Sequence, residues 1–111
     1  MVKISEIIET LYQKYFPIVK KLGVSLDVDF PDTTLTIRER ERVEKDLDKS
    51  LRSAVKRSRH GRISIVIRPG KIIVKDDGTI LSKSACDLLT TEHVKVKSRV
   101  GFGTTVTIHQ D

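Results

Sequence analysis

Val74-Lys75-Asp76-Asp77-Gly78 and Gly101-Phe102-Gly103-Thr104-Thr105-Val106-Thr107-Ile108 decide how this chain is read. The first closes a β-branched run on an acid pair and a glycine, the pattern of a strand ending in a turn. The second opens on two glycines and then alternates, the pattern of a turn leading into a half-buried strand. Between them, residues from Ser82 to about Thr91 predict one short helix with Ala85, Leu88 and Leu89 inward. No glycine occurs between Leu81 and Ser98.

Working outward from these segments, Ile63, Ile65 and Ile67 alternate, Pro69-Gly70 turns the chain, and residues 71–75 return, which predicts a hairpin. Val94 and Val96 add a strand before the closing one. Upstream, residues 38–59 are strongly charged, yet Val43, Leu47, Leu51, Ala54 and Val55 fall on one side of a helix. Val24, Leu26, Val28 and Phe30 alternate with Ser25, Asp27 and Asp29, a half-buried strand that Pro31-Asp32 ends. Residues 33–37 fit a short edge strand or a lead-in to the helix. The first segment repeats Ile4, Ile7, Ile8, Leu11, Tyr12, Tyr15, Ile18, Val19 and Leu22 at helical spacing. Pro17 inside it predicts a kink or a break, and Gly23 a stop.

The expected fold is therefore an α/β two-layer sandwich: a mixed, mainly antiparallel sheet of about five strands, with about three helices on one face. At 111 residues it is expected to form a single domain, residues 1–111. Hydrophobic residues at 38% and charged residues at 32% suit a globular protein and exclude wholesale disorder. No apolar run approaches the roughly 20 residues needed to cross a bilayer. A lone Cys86 and an N-terminus without a signal-peptide pattern set a cytoplasmic expectation. The formal charge of +6 favours anionic partners, while aromatic residues at 5% supply few base-stacking platforms.

In order and motifs the chain resembles the catalytic ATP-binding domain of sensor histidine kinases, within the family that includes gyrase and the chaperone Hsp90. Ser53-Ala54-Val55-Lys56 stands where that family has Asn-Ala-x-Lys. Residues 73–81 resemble its aspartate box, V-x-D-x-G-x-G-I, and residues 101–108 its closing G-x-G-T-T-F-T-I. The resemblance implies ATP or ADP as ligand, with Asp76 accepting a hydrogen bond from the adenine amino group and Thr104 nearby. It also implies that Gly78 leaves room for the ring and that Lys56 contacts a phosphate, which puts Asp76, Gly78, Thr104, Lys56 and Ser53 at the nucleotide.

The departures from the pattern bear on function. Lys49 and Ser53 occupy the positions of the asparagines that hold magnesium, and an ammonium group cannot ligate a cation. Ile80 replaces the second glycine of the aspartate box, and the glycine-rich lid over the phosphates has no counterpart. Nucleotide binding is thus expected to be weak or vestigial, magnesium to lack its usual ligands, and self-sufficient kinase activity to be absent, with no catalytic residue assigned. A phosphoacceptor domain or another signalling protein on a separate chain is the expected partner.

Two other readings follow from the residues. One is a non-catalytic interaction module, since the asparagines and the lid are missing together. The other, less favoured, is a small nucleic-acid-binding protein. It would use the anion-binding candidates Lys49, Arg52 and Arg59, with Lys56 on the same stripe and Arg57, His60 and Arg62 at its end. His60, His93, His109 and Cys86 show no metal-ligand spacing, so no metal site is expected. The plainest competing reading of Asp77-Gly78 is a turn that leaves Asp76 solvated.

Overall fold

The computed structural model describes residues 2–29, 36–37, 39–58 and 61–109. Its elements run β1 (Val2–Lys3), α1 (Ile4–Lys21), β2 (Ser25–Asp29), β3 (Thr36–Ile37) and α2 (Arg40–Arg57). They continue with β4 (Arg62–Arg68), β5 (Lys71–Asp76), α3 (Lys83–Leu89), β6 (Val94–Arg99) and β7 (Gly103–His109). Five strands form the main sheet in the order β2-β4-β5-β7-β6. Only β2 and β4 run parallel, because α2 carries the chain back between them; the other pairs are antiparallel. This is the expected mixed, mainly antiparallel sheet. A second, two-stranded pairing of β1 with β3 was not foreseen in the sequence. The expected contributions of Phe30, residues 31–35, Arg38, Arg59 and His60 lie outside the described residues.

Alternation places Ile63, Ile65, Ile67, Ile72, Val74, Val106 and Ile108 on one face of the sheet, all essentially buried. Helices α1 and α2 cover that face. Val43, Leu47, Leu51, Ala54 and Val55 of α2 meet it with Ile4, Ile7, Ile8, Leu11, Tyr15 and Val19 of α1 in one core. Among the described residues no helix covers the opposite face. Helix α3 lies along the edge strand β6 instead, and it buries none of its residues. Leu88, expected inward, is 79% exposed. Ala85 and Leu89, four residues apart, are half-buried, and Leu88 is left to solvent because the helix packs along a sheet edge rather than on a sheet face.

Helix α1 is continuous across Pro17, so of the expected kink or break the break is absent. Proline removes one backbone donor at a cost of about 3 kcal/mol in a helix interior. Tyr15 and Val19, buried on either side of it, hold the two parts to the core. Tyr15 also joins the two helices. Its hydroxyl donates to Asp48 Oδ1 at 2.6 Å, Lys14 Nζ reaches the same oxygen at 2.8 Å, and Arg52 Nη2 lies 2.9 Å from Oδ2.

Burial alone would push the Asp48 carboxyl up. The hydrogen bonds from Lys14 and Tyr15 outweigh it and hold the group below the ordinary carboxylate value. A depressed folded-state pKa stabilises the protein above the unfolded value near 4 and is lost as pH falls through the folded one. Urea unfolding at pH 7 and pH 3 checks this: Asp48→Asn lowers stability at pH 7 and shrinks the difference between the two pH values. An unchanged difference contradicts the role given to Asp48.

Candidate functional site

Asp76 is the last residue of β5, and alternation from Ile72 and Val74 turns it toward the helices. It continues an apolar stripe as a carboxylate, with 6% of its surface exposed. Across the sheet it pairs with Ile63 on one side and Thr104 on the other, and Thr104 in turn with Ser98. A buried carboxylate needs a partner, because desolvation of an isolated charge costs several kcal/mol.

That partner is Arg57, from the last turn of α2. Its Nη1 and Nη2 donate to Oδ1 and Oδ2 of Asp76, each at 2.9 Å, a bidentate pair. The same Nη1 reaches Thr104 Oγ1 at 3.1 Å and the Thr79 carbonyl at 3.0 Å, and Nε lies 3.4 Å from Ser53 Oγ. The backbone N–H of Gly78 donates to Asp76 Oδ1 at 3.0 Å. Behind Thr104, its hydroxyl and that of Ser98 are 2.7 Å apart, and the Leu81 N–H donates to Ser98 Oγ at 2.8 Å. One connected network thus ties the end of α2 to β5, β6 and β7. The Arg57 and Asp76 side chains are only 12% and 1% exposed, so this pair is screened little by solvent.

Gly78 has a structural reason of its own. A Cβ there would stand 2.6 Å from the Arg57 carbonyl oxygen and 3.0 Å from Ser58 Oγ. The space that the family resemblance reserves beside Gly78 is filled by the end of α2. The Thr79 N–H also donates to the Arg57 carbonyl, at 3.2 Å. Gly103 is constrained more tightly still: its φ is +76°, and a Cβ would come within 2.0 Å of the Asp76 carbonyl oxygen.

The structure therefore gathers Asp76, Thr104, Gly78 and Ser53 around one guanidinium. It leaves Lys49, Arg52 and Lys56 on the exposed side of α2, where Arg52 is paired with Asp48. Arg59 lies outside the described residues. Arg57, read from the sequence as part of a solvated basic end, is instead the centre of the buried network. Its position was discoverable, since residue 57 follows Ala54 by three and Ser50 by seven, both buried on the inward face of α2. A cation at that spacing calls for a buried acid opposite.

Among the described residues no group of three or more His, Cys, Asp or Glu side chains could hold a metal ion. No described helix is long and apolar enough to cross a membrane. An adenine amino group needs an open carboxylate oxygen and a ring-sized gap; here Arg57 donates to each Asp76 oxygen, and the end of α2 stands where a Cβ of residue 78 would be. As they stand, these groups are engaged with one another rather than open to a ligand.

No protein-family model matches the sequence, and no curated protein matches it. Solved structures match the fold over nearly the whole chain. The catalytic domain of histidine kinase ThkA superposes with a TM-score of 0.74 at 13% identity, covering 97% of this chain and 92% of that one. The cytoplasmic segment of histidine kinase QseC gives a TM-score of 0.76 at 8% identity, over 99% and 76%. ThkA in complex with the response regulator TrrA gives 0.72 at 16% identity, over 97% of this chain and 40% of that one. The chain has the fold of histidine kinase catalytic domains, as its motifs implied.

Proposed function

We propose that this chain keeps a histidine-kinase-type ATPase fold whose nucleotide pocket has become a structural joint, and that it acts as a non-catalytic interaction module in signalling. The observation that carries this reading is the bidentate Arg57–Asp76 pair. The carboxylate that would select adenine is spent on an internal cation, and Gly78 admits the end of α2 rather than a ring. At the phosphate end, Lys49 stands in place of an oxygen ligand for magnesium. Asp76, Gly78, Thr104 and Ser53 are structural residues in this reading, and Lys56 is a surface cation. The partner is a signalling protein on another chain, a class represented by the response regulator in the ThkA complex. The lone Cys86 and the similarity to a cytoplasmic kinase segment favour a cytoplasmic setting.

Calorimetric titration of the chain with Mg-ATP and Mg-ADP tests the loss of the nucleotide. The expected result is no saturable heat at millimolar concentration. Saturable binding in the micromolar range would return the chain to the nucleotide-binding class.

A further inference from the structure

The sheet face opposite the helices has two electrostatically different halves. On β2 and β4 the charges cancel: Arg62 pairs with Asp27 at 3.2 Å and Arg68 with Asp29 at 3.0 Å. On β5, β7 and β6 they do not. Lys71, Lys75, Lys95, Lys97 and Arg99 carry no ion pair among the described residues. The register sets Lys75, Thr105 and Lys97 in one row across three strands, with Lys95 and Arg99 flanking Lys97 along β6. Strands about 4.8 Å apart put the two lysines of that row about 10 Å from each other. That spacing suits separate carboxylates on one polypeptide segment.

At one end of this half the β6–β7 turn raises Phe102, which is 84% exposed, beside Val100 at 79%. Gly101 at φ +85° makes the turn, and the Phe102 N–H closes it on the Arg99 carbonyl at 3.1 Å. Phe102 stands between two hollows on the same face. One, of about 250 Å³, is lined by Lys97, Arg99, Gly103 and Thr105; the other, of about 210 Å³, by Arg62, Ser64, Lys75, Asp76 and Asp77. In the second, Asp76 is held by Arg57, Arg62 is paired with Asp27, and Asp77 accepts from the Arg62 N–H. Each is smaller than the roughly 300–1,000 Å³ of typical small-molecule pockets. An exposed aromatic with hollows on both sides, and with Lys75, Lys97 and Arg99 unpaired among the described residues around it, has the anatomy of a protein interface.

We infer that this half of the open face docks an acidic polypeptide segment, which straddles Phe102 with apolar side chains and sets carboxylates against Lys75, Lys97 and Arg99. Charge complementarity selects an acidic partner. The aromatic content selects a protein over single-stranded nucleic acid, since Phe102 alone cannot stack successive bases. The inference rests on the interaction-module reading and names the surface that such a module would use.

The test follows backbone amide shifts of the full chain during titration with a synthetic peptide of alternating Glu and Ser bearing a central Leu pair. A Lys-for-Glu version of the peptide and oligo-dT of equal length serve as the other arms. The acidic peptide is expected to move Lys75, Lys97 and residues 99–105 and to weaken with salt. Phe102→Ala is expected to reduce the affinity about tenfold, and Lys97→Glu with Arg99→Glu together about tenfold. All three side chains are solvent-facing, so unchanged melting temperatures show that the variants remain folded. Absence of shifts, shifts gathered on α2 at residues 49–56, or tighter binding of oligo-dT would each overturn the inference. Nucleotide binding at Asp76 would instead count against the module reading and leave the result on this face intact.

Discussion

Replacing Arg57 with Met lowers the unfolding free energy by about 3–5 kcal/mol, the cost of leaving a buried carboxylate without its partner. Folded domains of this size hold roughly 5–15 kcal/mol in total, so the variant sits near the edge of folding. The expectation follows from geometry. Asp76 has both oxygens engaged by one guanidinium and lies on the inward face of the sheet. Arg57→Lys recovers little, because an ammonium group cannot span both oxygens and reach Thr104 and the Thr79 carbonyl as well. Arg57→Met combined with Asp76→Leu regains most of the loss, since a well-packed apolar pair can replace a buried ionic one. Urea midpoints of the four proteins check this. A loss below about 1 kcal/mol for Arg57→Met, the range of exposed ion pairs, would mean that the pair is solvated and Arg57 is free to leave.

Gly103→Ala is the second large effect. The left-handed backbone at φ +76° costs a residue with a Cβ about 1–2 kcal/mol. The Cβ would also lie 2.0 Å from the Asp76 carbonyl oxygen, so β7 must separate from β5, at a further cost of about 1–3 kcal/mol. Gly101→Ala keeps only the backbone term, since nothing lies within 4 Å of a Cβ there. Thermal melts of the two variants should rank Gly103→Ala well below Gly101→Ala. Equal melting temperatures would contradict the close approach of β7 to the end of β5.

Most of the fold was legible because its strands alternate and its two long helices carry clean apolar stripes. Ile63, Ile65 and Ile67 declare a face, and Pro69-Gly70 a turn, without reference to anything distant. The two-residue pairing of β1 with β3 was not legible, since so short a strand has no period. Helix α3 misled for a different reason: Ala85, Leu88 and Leu89 have the spacing of an inward face, but the helix packs along the edge strand β6, which half-buries Ala85 and Leu89 and leaves Leu88 exposed.

The site was legible in its parts but not in its wiring. Of the five nucleotide candidates, the structure brings Asp76, Gly78, Ser53 and Thr104 together and leaves Lys56 on the exposed side of α2. What the four surround was missed, because Arg57 is 19 residues from Asp76 and stands in a basic stretch with Lys56, Arg59 and His60. Composition drew it to the surface, whereas its spacing from Ala54 placed it inside. The two glycine signals were ambiguous in a similar way. A glycine that admits a ligand and one that admits a helix end read alike in sequence, and only the Arg57 carbonyl beside Gly78 separates them.

The central claim is that Arg57 holds the place where a nucleotide base would bind. The most direct measurement is a titration of the isotope-labelled chain with Mg-ADP and Mg-ATP, following the Arg57 Nε–H signal with the amides of residues 76–80 and Thr104. The account predicts that none of these moves at millimolar nucleotide. Saturable shifts at Asp76, Gly78 and Thr104, with the Arg57 signal displaced at the same concentration, would show the pocket still in use and contradict it.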